Sequence, residues 1–415
     1  MQELYTIFKN SKGVSTDTRS LEEEQMFFAL SGENFNANNF VETALTKGAF
    51  HVVCNDKAYE SLSKVTVVED PLKTLQELAT YYRKQFKFPI LALTGSNGKT
   101  TTKELILSVL SQKLEVKGTA GNYNNHIGVP LTLLSFNEDL DIGIVEMGAN
   151  HQKEIEFLCS IARPDYGMIT NYGKAHLEGF GGIEGIKKGK SEMYDYLREN
   201  NKRAFIARWD QEQISRSKGI NCIKTTDKCV LRSSDPYVKL TYQNQSIEMN
   251  VTGDYNYNNA LFAITIGEHF SVPSQKIIQG LESYVPSNNR SQIIKHKDYS
   301  IILDAYNANP SSMKVALENL ARQKEGSRSA VLGDMFELGA YSEKEHQKIA
   351  DLASELKLNE VYFIGSHFFN VKTSYERFET FEDFENYFKS LKKKGLYLIK
   401  GSRGMKLERS LELFD

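Results

Sequence analysis

The sequence predicts an α/β protein in three domains. Between residues 87 and 289, strand-like and helix-like stretches alternate, the order that builds a parallel sheet covered by helices on both faces. The apolar run Phe88-Pro89-Ile90-Leu91-Ala92-Leu93 enters Thr94-Gly95-Ser96-Asn97-Gly98-Lys99-Thr100-Thr101, the layout of a phosphate-binding loop (P-loop) between strand and helix. After Pro286-Ser287-Asn288-Asn289, a linker by composition, four more strand-like runs separated by helical stretches predict a doubly wound, Rossmann-like unit. The expected domains are a small α/β unit at 1–86, a central P-loop parallel-sheet unit at 87–289 and the Rossmann-like unit at 290–415.

In the first domain, 26–30 and 50–54 read as strands, with a short helix over 41–47 between them. Pro71 at a first turn opens a helix predicted to reach residue 86. The central domain is expected to follow the loop with a helix at 101–111, a strand at 142–147, a helix at 152–161 and a strand at 167–170. Alternating Val238, Leu240 and Tyr242, then Ile247, Met249 and Val251, flank Gln243-Asn244-Gln245 and predict a hairpin within 229–251. Helices at 256–270 and Ser274–Ser283 follow, and the last domain is expected to hold strands at 300–303, 330–332, 361–364 and 396–399.

Composition excludes several classes. A net charge of −2 gives no basis for a nucleic-acid or anionic-membrane partner. No run approaches the ~20 apolar residues of a membrane span. Cys54, Cys159, Cys222 and Cys229 are scattered without metal-type spacing, and the first ten residues carry no signal-peptide pattern. These features predict a soluble cytoplasmic protein with reduced thiols. It is expected to act on small molecules as a monomer.

The loop carries the first chemistry. Gly95 and Gly98 let backbone N–H groups approach phosphate oxygens, Lys99 adds a point charge, and the Thr100 hydroxyl suits Mg²⁺. The Walker pattern is matched in part, with Leu93 where glycine is usual and the extra glycine at Gly95. Glu146 stands at one strand end and His176 just beyond the next; each can ligate a divalent cation and each can equally be structural. After His176, spacings of three and four put Lys190 on an apolar helix face with Ile183, Ile186, Met193, Tyr194 and Leu197. There, either the amine is buried and driven toward its neutral form, or the stem packs and the head snorkels to water. Gly189 costs ~1 kcal/mol relative to Ala within a helix, so propensity does not explain it.

Seven motifs occur in order: the loop itself, Gly121-Asn122-Tyr123-Asn124-Asn125-His126-Ile127-Gly128-Val129-Pro130, Glu146-Met147-Gly148-Ala149-Asn150, His176-Leu177-Glu178-Gly179-Phe180-Gly181, Asp304-Ala305-Tyr306-Asn307-Ala308-Asn309-Pro310, Leu332-Gly333-Asp334-Met335 and Lys400-Gly401-Ser402-Arg403. Over nearly the whole chain they resemble the Mur ligases of peptidoglycan synthesis. The motifs at 146–150 and 306–310 favour the member that joins D-alanyl-D-alanine to a UDP-N-acetylmuramoyl tripeptide.

The resemblance implies an ATP-dependent peptide ligase that uses Mg²⁺ and an acyl-phosphate intermediate. By position, Gly95, Ser96, Asn97, Gly98, Lys99, Thr100 and Thr101 would hold the ATP phosphates, with Arg290 nearby. Asn256 and Asn259 would lie beside the adenine and Asp304 on the ribose. Thr100, Glu146, His176 and Lys190 match the metal positions, with Lys190 carbamylated into an anionic oxygen ligand; Lys99, Glu146, His176 and Lys190 form the implied catalytic set. Asn124, Asn125, Asn307 and Arg403 match substrate positions, while Ser15, Thr16 and Arg19, with Ser31-Gly32-Glu33-Asn34-Phe35, resemble uridine-nucleotide motifs. The chain departs from the family at Tyr255, where His is usual, and at Asn36-Ala37-Asn38, where Asp-Gly-His is usual. A related ligase with another acceptor, such as a folylpolyglutamate synthase, and a P-loop switch are the alternatives.

Overall fold

The computed structural model describes residues 1–414 except Glu33, 287–289, Glu325 and Lys392, so most of the expected linker at 286–289 lies outside the described residues. The first domain is a parallel sheet of four short strands, Val14–Ser15, Met26–Phe28, His51–Cys54 and Val65–Val67, in that order. The helix Pro71–Arg83 joins it to the next domain. Pro71 sits in its first turn, and the Asp70 carboxylate accepts the Leu72 and Lys73 N–H groups left free there. The helix ends before residue 86 because the chain turns so that Phe86 stacks on Phe88, centroids 4.6 Å apart. Its last turn is fastened to the central domain. Tyr82 donates to the Phe136 carbonyl at 2.8 Å, and Arg83 donates to the Ala162 and Arg163 carbonyls and to Asp165.

The central sheet is parallel throughout, ordered Asn221–Lys224, Arg203–Ile206, Tyr166–Ile169, Ile90–Thr94, Ile142–Glu146 and Val116–Gly118. Every residue of Ile90–Thr94 and Ile142–Glu146 is buried, as expected of strands covered on both faces. From Ile90–Thr94 the chain visits one edge and returns, then crosses to Tyr166–Ile169 on the other side. That reversal opens a crevice at the carboxyl ends of the two strands, where ligands bind in such sheets. The helix after the loop spans Lys99–Leu110 and starts earlier than the expected 101, because Gly98, at φ 77°, begins it from the left-handed region. The expected hairpin is present within a three-stranded antiparallel sheet, Cys229–Ser233, Lys239–Tyr242 and Gln245–Glu248. Gln243 and Asn244 form its two-residue turn, with φ 48° and 65°.

The third domain's sheet is mixed, ordered Gln292–Lys295, Tyr299–Leu303, Gly395–Lys400, Arg328–Gly333, Glu360–Ile364 and Glu376–Phe378, with only the first pairing antiparallel. Among the described residues no helix is long and apolar enough to cross a membrane.

The helix Ile183–Glu199 settles the packing of Lys190, which is 1% exposed among Ile186, Met193, Tyr194 and Leu197. The snorkelling alternative is thereby corrected. Ile183, expected on the same stripe, is 37% exposed, because it opens the helix beyond the packed turn. Gly189 has a steric reason: a Cβ there would lie 2.5 Å from the Phe180 ring. Gly189→Ala is therefore expected to lower stability by about 1–3 kcal/mol through overpacking, despite the ~1 kcal/mol gain in helix propensity. Urea unfolding reads the sign, and a more stable variant would refute the packing account.

Candidate active site

The crevice at the loop is the floor of a cleft of about 840 Å³ whose other wall is the third domain. Its lining includes Ser96, Asn97, Gly98, Lys99, Thr100, Thr101, Asn124, Asn125, Glu146, His176, Asn256 and Asn259, and from the third domain Arg290, Asp304 and Asn307. Most residues singled out from the sequence thus meet in one place.

The loop is held from below. A Cβ on Gly95, at φ 146°, would lie 1.9 Å from the Thr170 hydroxyl, so only glycine fits. Thr170 Oγ1 and Asn171 Nδ2 donate to the Asn97 carbonyl at 2.6 and 3.0 Å, and Ser96 Oγ donates to the Gly173 carbonyl at 2.8 Å. Lys99 curls back and donates to the Gly95 carbonyl at 2.7 Å. Burial pulls its pKa down, opposed by Glu146 and reinforced by Arg290.

Beside the loop, Glu146 Oε1 accepts from the Thr100 hydroxyl at 3.2 Å and from Asn124 Nδ2 at 2.9 Å. Its other oxygen is buried with no protein partner. Thr119 steadies this carboxylate's strand by accepting the Glu146 N–H on Oγ1 at 2.9 Å. Asn125 uses its side-chain oxygen to cap the helix Gly128–Leu134 through the Ile127 and Gly128 N–H groups. Asn259 donates to Asn256 at 2.9 Å and stands against Gly98, so this pair abuts the loop directly.

From the third domain, Asn309 Nδ2 donates to Asn97 Oδ1 at 2.7 Å. The Arg290 guanidinium lies over the Tyr306 ring, 3.7 Å from its centroid, with Nε buried and unpartnered. Asp304 is paired with Lys400 and accepts the Ser291 N–H at 3.2 Å. Tyr255, where the family usually has His, packs its ring beside Gly253 and shares a 2.9 Å hydrogen bond with Ser291; burial, then Asp304, raises its phenol pKa.

Other expected residues lie elsewhere. Lys190 sits behind the wall and donates to the Ala149 carbonyl at 3.0 Å, with its amine 5.0 Å from the centre of the Phe180 ring. Burial, then the nearby Lys99, drives its pKa well below the usual lysine value. Arg403 pairs with Glu408 at 3.0 Å, its guanidinium over the Tyr306 ring 5.8 Å from the centroid. Ser15 makes a local turn with the Asp17 backbone, and Arg19 forms an exposed pair with the Asp17 carboxylate. Neither they nor Thr16 line a second hollow of about 580 Å³ on the first domain, formed by Ser31, Gly32, Asn34, Phe35, Asn36, Asn38 and Asn55. Within it, Asn38 Nδ2 donates to Asn36 and Asn55 at 2.8 and 2.7 Å.

Sequence reasoning missed the wall residues Trp209 and Glu337, and gave Lys400 no role although it opens a noted motif. Trp209 had one usable signal, being the chain's single tryptophan, and it stands 42% exposed in the cleft. Asn309 lay within a motif already noted, immediately before a helix-opening proline.

Residues 93–267 match the Mur ligase middle domain, and residues 289–403 match the Mur ligase, glutamate ligase domain. The chain belongs to the Mur ligase family. It is 34% identical to UDP-N-acetylmuramoyl-tripeptide–D-alanyl-D-alanine ligase of Bacillus subtilis (strain 168), over 95% of this chain and 91% of that protein. The identity to the Escherichia coli (strain K12) ligase of the same name is also 34%, over 89% and 85%. Among solved structures, MurF from Acinetobacter baumannii superposes with a TM-score of 0.87 at 29% identity, covering 100% of this chain and 98% of that one. The MurF ligase from Thermotoga maritima in complex with ADP gives 0.87 at 26% identity, covering 98% and 97%. This Mur ligase therefore has the three-domain fold of MurF.

The buried amine yields a test. Because the Lys190 pKa is lowered in the folded state, the unfolded chain binds the extra proton between that lowered value and 10.5, and stability rises with pH across the window. In bicarbonate-free buffer, Lys190→Met is expected to be at least as stable as the parent near neutral pH, with the gap narrowing toward pH 10.5. A strongly destabilised variant in pH-dependent melts would show instead that the amine holds this wall together.

Proposed function

We infer that this Mur ligase joins D-alanyl-D-alanine to UDP-N-acetylmuramoyl-tripeptide at the expense of ATP, in peptidoglycan precursor synthesis. The observation that carries the reading is the P-loop cleft closed by a second domain, in a chain alike over its length to ligases of that name. The tripeptide's terminal carboxylate attacks the γ-phosphorus of ATP, ADP leaves, and an acyl phosphate forms. The dipeptide amine then attacks the acyl carbon, inorganic phosphate leaves, and the amine gives up a proton as the amide forms.

Phosphoryl transfer needs mostly positioning and charge neutralisation. Lys99 and the N–H groups at the start of Lys99–Leu110 supply both to the phosphates, and Arg290 adds a guanidinium whose buried Nε has no protein partner. Asn256 and Asn259 are assigned to the adenine and Asp304 to the ribose. Asn124, Asn307 and Arg403 are assigned to the tripeptide end and the dipeptide. The third domain, seated on the loop through Asn309, excludes water that would hydrolyse the acyl phosphate. By this reading, residues 1–86 bind the uridine nucleotide, 87–289 bind ATP and 290–415 close the site. The first-domain hollow at Ser31 and Phe35 suits the uridine end better than Ser15, Thr16 and Arg19, which do not line it.

The donors also fit Mg²⁺. Glu146 keeps a buried oxygen without a partner beside the Thr100 hydroxyl, and hard oxygen donors are what that ion takes. Thr100 and Glu146 would hold one ion, with His176 as a further ligand; bound there, Mg²⁺ neutralises phosphate charge. The neutral Lys190 amine is the form that adds to CO₂, giving a carbamate and a proton. Carbamylated Lys190 would present anionic oxygens toward the same region.

Mass spectrometry of a substrate panel tests the assignment. UDP-muramoyl tripeptide with D-alanyl-D-alanine and ATP is expected to give the pentapeptide, and Lys99→Ala is expected to abolish it in a folded protein; product with another acceptor only would overturn the substrate reading. For the carbamate, Lys190→Ala is expected to be nearly inactive and partly restored by a short carboxylic acid. Full turnover of that variant without bicarbonate would end this assignment.

A further inference from the structure

The contact between His176 and Glu337 is unusual on both sides. His176 belongs to the central domain and Glu337 to the third, and their side chains meet across the cleft through the imidazole Nδ1 and a carboxylate oxygen. Both backbones are left-handed, with φ 56° at His176 and 61° at Glu337, although neither residue is glycine. Left-handed backbone at such residues is uncommon and persists where the surroundings fix it, often at functional sites.

The surroundings fix Glu337 thoroughly. Three residues before it, the Asp334 carboxylate accepts the His367 and Phe368 N–H groups at 3.0 and 2.9 Å. The Met335 N–H donates to Nε2 of the buried His346 at 3.0 Å, and the Phe336 N–H donates to Ser402 Oγ at 2.9 Å. Opposite, the Glu178 N–H donates to the Glu337 carbonyl at 3.3 Å, so backbone as well as side chain bridges the domains. Yet Glu337 is no buried structural charge, its side chain being 54% exposed.

We propose that Glu337 is a positioning residue that reaches from the third domain to orient the His176 imidazole, so that this ligand is set only while the domains are closed. A carboxylate accepting from Nδ1 fixes the proton there and leaves the Nε2 lone pair for a metal, the arrangement that orients ligating histidines generally. The proposal rests on His176 being a metal ligand. It adds that the third domain, besides excluding water, completes the metal site.

Mn²⁺ binding to the full chain with ADP, followed by electron paramagnetic resonance, tests it without turnover. Glu337→Ala is expected to weaken Mn²⁺ binding by about 10–100-fold, the usual effect of losing an orienting partner. Glu337→Gln, an uncharged acceptor of the same shape, is expected to recover part of that loss. His176→Ala separates the two layers of the reading. Weakened binding in His176→Ala with parental binding in Glu337→Ala would overturn the proposal and leave the ligand assignment standing. Parental binding in His176→Ala would overturn the ligand assignment and the proposal with it.

Discussion

The structure hangs on the close packing of the loop backbone at Gly95 against the end of the neighbouring strand at Thr170. No side chain fits between them, and the Thr170 hydroxyl and Asn171 amide are both spent on the Asn97 carbonyl. With its carbonyl so held, the loop starts a helix at Gly98 whose free N–H groups face the cleft. The same Asn97 offers its side-chain oxygen to Asn309 of the third domain. One residue thus ties the phosphate loop to the sheet beneath it and to the domain above it.

Around that node, charge is arranged ahead of any ligand. Arg290 stands close enough to disfavour the charged form of Lys99, and Lys190 lies within reach of Lys99 from behind the wall. At Lys99 the pull of Glu146 outweighs the push of Arg290, so burial is what disfavours the cation there, and Glu146 keeps one oxygen unpartnered. Such a site is costly while empty and gains from a polyanion with its cation, which is how a fixed electrostatic environment favours charged transition states. The apolar packing does the holding: one contiguous cluster runs from Leu4 and Phe8 through the central sheet to Met313 and Leu332.

Polar contacts add to that packing where the third domain meets the central one. Lys174 pairs with Glu345 at 3.0 Å, the Lys174 N–H donates to Ser311 at 2.8 Å, and His176 meets Glu337. Both ion pairs keep one partner in contact with water, which limits what each contributes. They suit an interface of the kind across which domains can move relative to one another.

By itself the sequence determined the alternation of strands and helices, the loop, a hairpin around Gln243-Asn244-Gln245 and the place of Lys190 on an apolar helix face. Each is carried by neighbours within a few residues, through periodicity, glycine conformation or helix spacing. Element ends moved by a few residues because they depend on what the chain meets next, as with Phe86 on Phe88. Tertiary structure alone decided that Gly189 makes room for Phe180, that Arg290 lies on Tyr306, and that Glu337 faces His176. Those pairings join distant parts of the chain or separate domains, and no local pattern encodes a contact whose two halves fold into different sheets.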